Sequence, residues 1–127
     1  MIDRAGRTPL HYAALSGDLD DVRGHLGDGA DPDAADAQGF TALHFAAQGY
    51  HPGVAAALLD AGASIDPVNT FGNTALWIAT MNSRGRGEVI LLLLARGADP
   101  HRDNDSGISP RALAETIANY DVLQYYG

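Results

Sequence analysis

Gly6-Arg7-Thr8 recurs as Gly39-Phe40-Thr41, then as Gly72-Asn73-Thr74, then as Gly107-Ile108-Ser109, in steps of 33, 33 and 35 residues. A self-similar period of this length leaves little choice of architecture. Each copy is one helical unit too small to bury its own apolar face, so the copies must stack and supply one another's core. Such a chain is expected to act through a displayed surface rather than through an enclosed pocket.

The content of one period reads as a pair of helices. Thr8 is suited to cap the free amides of a helix start, and Pro9 suits the first helical position, where its missing N–H costs nothing. Leu10, Ala13 and Ala14 share a face at helical spacing, and the alanines let a neighbouring helix approach closely. Gly17 permits a turn, Leu19, Val22 and Leu26 mark a second helix, and Gly29 suits a left-handed helix end. Asp31 to Gly39 is polar and turn-rich. The second unit repeats the pattern from Thr41 to Gly62 and the third from Thr74 to Gly97, while a shortened fourth runs from Ser109 through Leu113 to Val122 and Leu123. In the end units, Asp18, Asp20, Asp21, Arg23, Gly24 and His25 let one flank of the first face water, and Tyr120, Tyr125 and Tyr126 are expected to cover the outer side of the last.

The motifs Gly-x-Thr-Pro-Leu-His-x-Ala-Ala and Leu-x-x-Gly-Ala-Asp resemble ankyrin repeats over essentially the whole chain. The resemblance implies an all-α solenoid of antiparallel helix pairs with hairpin-like tips projecting to one side. It divides residues 1–127 into a single domain of units 3–35, 36–68, 69–103 and 104–127. It implies that His11 and His44 have structural work, bonding Thr8 and Thr41 one helical turn away and the nearby backbone. It places Tyr12, Phe45 and Ile78 in the packing between units. It leaves Arg4, Arg7, Leu15, Gln38, Phe40, Gln48, Phe71, Asn73 and Met81 on the concave side, where such proteins hold partners. Phe40, Phe71 and Met81 are the expected apolar anchors there. Trp77 stands where the first two units have histidine and is expected to pack against an adjacent unit, with an indole N–H in need of an acceptor.

Composition narrows the function. There is no cysteine, so thiolate metal sites and cysteine nucleophiles are excluded. The histidines lack metal-ligand spacing, no cofactor motif occurs, and neither a Gly-x-Ser-x-Gly elbow nor a phosphate-binding loop is present. The net charge of −8 opposes non-specific nucleic-acid binding. The longest apolar run, Val89 to Ala95, is seven residues and far short of a membrane span. No secretory signal is visible, so the cytoplasm is the expected compartment. Residues 1–36 hold eight acids and three arginines, whereas residues 70–102 hold two acids and four arginines. All eight basic residues are arginine, a composition of GC-rich coding sequence that suggests a bacterial source.

The expectation is a monomeric, non-catalytic, cofactor-free module that binds another protein, one with a basic surface if the acidic first unit makes the contact. A toxin-neutralising immunity protein is the alternative within the same binding mode, and an enzyme is the competing class. The chain opens at the tip of one unit and stops inside another, as a segment of a longer array would. The two residues added to the last interval fall within Thr80 to Gly87. A solvated turn whose arginines favour the end of the preceding helix is expected there, rather than an anion site.

Overall fold

The computed structural model describes residues 4–127; Asp3, where the first unit was expected to begin, lies outside them. Seven helices follow in order: α1 (Pro9–Ser16), α2 (Leu19–Gly27), α3 (Ala42–Gly49), α4 (Pro52–Asp60), α5 (Ala75–Met81), α6 (Glu88–Ala95) and α7 (Pro110–Thr116). A 3-10 turn over Leu123–Tyr126 ends the chain. There is no strand among the described residues. The helices form two rows. α1, α3, α5 and α7 pack one against the next, and α2, α4 and α6 form the second row, continued by the 3-10 turn. The all-α stack of helix pairs is the expected one.

Residue size explains the spacing of the first row. Ala13, Ala14, Ala46, Ala47, Ala79 and Ala114 are all buried between successive first helices. The second row is filled by longer chains: Val22, Val54, Leu58, Val89, Ile90 and Leu93. Removing such a side chain would leave a void that the close-packed neighbours cannot refill.

Each first helix starts on a hydroxyl cap. Thr8, Thr41, Thr74 and Ser109 accept the backbone N–H of the third helical residue, and Pro9 and Pro110 occupy first helical positions. The tips are tied by single backbone bonds. Ala37 N–H donates to the Ala5 carbonyl at 2.7 Å, Thr70 N–H to Gln38 at 2.9 Å and Asp105 N–H to Phe71 at 3.0 Å. Within each tip one side chain organises the turn. Asp36 Oδ1 accepts the N–H groups of Gln38 and Phe40, Asn69 Oδ1 those of Phe71 and Asn73, and Asn104 Oδ1 those of Ser106 and Ile108.

The tyrosines at the end act differently from expectation. Tyr125 donates its hydroxyl to the Gly85 carbonyl at 2.7 Å, and Tyr126 bonds Thr80 of α5. Both therefore turn inward onto the third unit, in the place a second helix of the fourth would fill. Burial pushes the Tyr126 phenol up to about 12, so it stays protonated as Thr80's partner. Only Tyr120 remains substantially exposed.

The second unit is held to the first by a histidine with no counterpart elsewhere. His51 Nε2 lies 2.9 Å from the Leu15 carbonyl at the end of α1. A Cβ on Gly49 would fall 2.6 Å from that ring and 2.7 Å from the same carbonyl. Alanine at an ordinary helical glycine adds up to about 1 kcal/mol of stability. Gly49→Ala is expected to reverse the sign and cost about 1–3 kcal/mol through overpacking, as read from urea unfolding midpoints.

Candidate functional site

The site begins with the imidazoles that hold one unit to the next. Thr41 N–H donates to His44 Nδ1 at 3.0 Å, which makes Nδ1 an acceptor and leaves the proton on Nε2. Nε2–H then donates to the Asn73 carbonyl of the following tip at 2.9 Å. His11 repeats the arrangement, with Nδ1 2.8 Å from Thr8 N and Nε2 2.9 Å from the Ala34 carbonyl and 3.1 Å from that of Phe40. The structural role expected of both histidines is therefore present in full. Burial pushes His44 below its ordinary 6.5, and a proton on Nδ1 would also confront the Thr41 donor.

The two buried side-chain polar atoms without a partner among the described residues mark where this scheme is broken. One is the Trp77 indole Nε1 and the other is Asn69 Nδ2. Trp77 occupies the histidine position of the third unit, so the fourth tip receives no imidazole. Asn69 holds the tip position whose counterparts reach back by one unit: Arg7 Nε donates to Asp36 Oδ2 at 3.3 Å, and Asn104 Nδ2 donates to Asn73 Oδ1 at 2.9 Å. At the corresponding place opposite Asn69 stands Phe40, which offers no acceptor. Both orphans thus arise where an aromatic ring replaces a polar tie.

The residues expected on the concave side divide into two groups. Arg7, Phe40 and Asn73 are committed to the scaffold. The Arg7 guanidinium pairs with Asp36 and lies 5.0 Å from the centre of the Phe45 ring. Hydrogen bonding to Tyr12, then to Asp36, raises its pKa further. Phe40 is turned inward, stacked on Phe45 at 5.4 Å, rather than displayed on its tip. Asn73 spends its carbonyl on His44 and its side chain on Asn104. Arg4, Gln38, Gln48, Phe71 and Met81 are exposed, and Leu15 is half-buried. Phe71 and Met81 come together with Trp77, Ile108 and Leu113 around a hollow of about 450 Å³ between the third and fourth units. Ile108 and Leu113 were not singled out by sequence, because their unit is the irregular one.

Tyr12 departs from the expected core. It is 45% exposed, whereas Phe45 and Ile78 at the same repeat position are 3% and 6% exposed. No described unit stacks before the first, so the ring that fills an interface in later units here borders an open hollow of about 520 Å³ with Leu15, Asp21 and His25. Asp21 and His25, 3.4 Å apart, stand where the inner units bury Val54 and Leu58, or Val89 and Leu93. This larger hollow is the polar-capped end face of the stack.

The inserted segment is a braced turn. Arg86 donates to the Ser83 and Asn82 carbonyls at the end of α5, as expected, and lies over the Tyr50 ring at 4.2 Å. Tyr50 donates in turn to the Arg86 carbonyl at 2.6 Å, a partner the sequence did not mark. No group of three or more His, Asp or Glu side chains among the described residues is placed to hold a metal. No helix of the described chain is long and apolar enough to cross a membrane.

Stacked helix pairs, periodic caps and a ladder of tips define a helical solenoid of the repeat-protein class. A family profile described as "Ankyrin repeats (3 copies)" matches residues 10–104, and the chain belongs to the ankyrin-repeat family. It is similar to a mouse B-cell lymphoma 3 protein homolog, 41% identical over 93% of this chain and 27% of that protein. It is also similar to the Caenorhabditis elegans ankyrin repeat and KH domain-containing protein mask-1, 37% identical over 96% of this chain and 5% of that protein. Bovine protein fem-1 homolog A is 32% identical over 88% of this chain and 20% of its own length. The chain therefore spans about a quarter or less of these relatives, all from animals. Ankyrin repeats are generally protein–protein interaction modules and typically non-enzymatic scaffolds.

Two stability outcomes follow from the ties. Unfolding exposes His44 and restores its ordinary affinity for protons, so acid favours the unfolded chain. Its contribution should be full above about pH 6.5 and decline as pH falls below that value. His44→Phe should cost about 2–3 kcal/mol at pH 7.5 from broken bonds and lose less further stability than wild type by pH 5, in urea titrations at both pH values. Trp77→Phe removes an unpaired buried donor along with some ring area, and should shift stability by no more than about 1 kcal/mol in the same assay.

Proposed function

We propose that the chain is a monomeric, non-catalytic module that binds another protein through the concave side formed by its tips and first helices. The observation that carries this reading is the clustering of apolar side chains there. Phe71 and Met81 are 57% and 53% exposed, and both line the hollow that also includes Trp77 and Ile108. Scattered surface apolars are ordinary in a folded protein, whereas a concave cluster on a rigid scaffold is the form of an anchor site. Pre-ordering matters because ordering costs subtract from affinity, and the two tips that border the hollow are tied by the Asp105–Phe71 backbone bond and the Asn104–Asn73 side-chain bond. The net charge of −8 favours a partner with a basic surface by steering encounter.

Affinity capture with the wild-type chain and with Phe71→Ala/Met81→Ala, followed by mass spectrometry, tests the assignment. Each truncation of a true anchor costs on the order of 2 kcal/mol or more. The expected result is a partner retained by wild type and lost by the double variant, with both chains melting alike by circular dichroism. Recovery of the same proteins by both would move the binding face elsewhere.

A further inference from the structure

The hollow between the third and fourth units continues past Met81. That side chain also lines a second, smaller hollow of about 210 Å³ walled by Arg84, Ile117 and Tyr120. The two meet at Met81 and together follow α5, with Asp105 lining the tip end and Arg84 the far end. Neither charge is answered by an ion pair among the described residues, all four of which involve other groups. The groove is thus apolar along its floor, negative at one end and positive at the other.

Arg84 is also held in a costly conformation. Its φ is +52°, a left-handed backbone that glycine adopts freely and arginine does not. Of the two arginines in the inserted segment, Arg86 braces the turn through Ser83, Asn82 and Tyr50. Arg84 braces no other group among the described residues and is exposed. A side chain kept at a strained position without a structural partner points to a ligand.

We propose that this groove takes an extended peptide segment of the partner: a cationic side chain over Asp105, large apolar side chains against Phe71, Trp77 and Met81, and a carboxylate at Arg84. The inference rests on the binding face proposed above and specifies what occupies it. α5 has seven residues, about 10 Å of helix at 1.5 Å per residue, which is the length of about three extended residues. Because Asp105 and Arg84 lie beyond the two ends of α5, the segment's opposite charges stand about four positions apart. Its apolar side chains lie between them. A peptide with the same residues but both ends of one sign would set a like charge against Asp105 or Arg84.

Random octapeptides displayed on phage and selected against the intact chain provide the probe. The expected pool is enriched in Leu, Met or Phe between a Lys or Arg and an Asp or Glu about four positions away. Arg84→Gly separates structure from recognition, because relief of the left-handed strain should raise the melting temperature while affinity for a selected peptide falls about threefold to fivefold. Arg84→Glu should weaken the same peptide further, and replacing the peptide's acid by Lys should restore binding to that variant. The proposal is overturned if no peptide is enriched, if enriched peptides show no charge order, or if they bind Arg84→Glu as well as wild type. Peptides that ignore Arg84 yet are lost from Phe71→Ala would refute the charge-ordered segment and leave the concave face standing. Peptides indifferent to both substitutions would count against the face itself.

Discussion

The first two joints of this stack depend on a neutral imidazole placed between two backbones. A solenoid unit has irregular tips whose amides and carbonyls must be satisfied close to a dry interface, and an unmade bond there costs far more than a made one contributes. His44 meets that demand from both nitrogens, taking the Thr41 N–H and giving its own proton to Asn73. The same ring thereby caps its helix and fixes the next tip. Because the following first helix starts from that tip, the bond also sets the approach at which alanines can pack. At the first two joints, helix start, tip and inter-unit spacing are joined through one tautomer.

The proposed binding face lies where that device is abandoned. Trp77 and Phe40 each put a ring where the pattern has a polar tie, and each leaves a buried donor unbonded. Their outcomes differ because their neighbours differ. Phe40 has Phe45 beneath it and becomes part of the core. Trp77 faces the irregular fourth unit, where Ile108 stands at the position of Arg7, Phe40 and Asn73, and a hollow remains. Local rules broken without compensation inside the chain are what a site built for something outside it looks like.

The period made the helices, the hydroxyl caps and the scaffold role of His11 and His44 legible, because those features recur in register. What stayed hidden was of three kinds. Asp36, Asn69 and Asn104 organise the tips, but mixed residue types and the two added residues disguise their common spacing. His51 and Tyr50 bond carbonyls 36 residues away, and nothing local to either announces such a partner. Tyr12 illustrates the third kind. Residue type and repeat position match Phe45, yet burial is decided by whether another unit stands in front, which is a property of place in the stack. For the same reason the apolar face was only partly legible. Phe71 and Met81 are displayed as expected, whereas Phe40 turned inward and Ile108 and Leu113 belong to the least regular unit.

The missing imidazole also has a mechanical meaning. The first two joints of the stack are braced by packing of both helical rows, by a tip bond and by a ring that clamps one unit to the next. The last joint keeps its tip bond, the Asn104–Asn73 side-chain bond, a helix contact in one row, and the packed 3-10 turn with two tyrosine hydroxyls in the other. In an array where each unit touches only its neighbours, deformation gathers in the weakest coupling. The hollow lies at that coupling. Any bending at that joint would change the width of the hollow beside it.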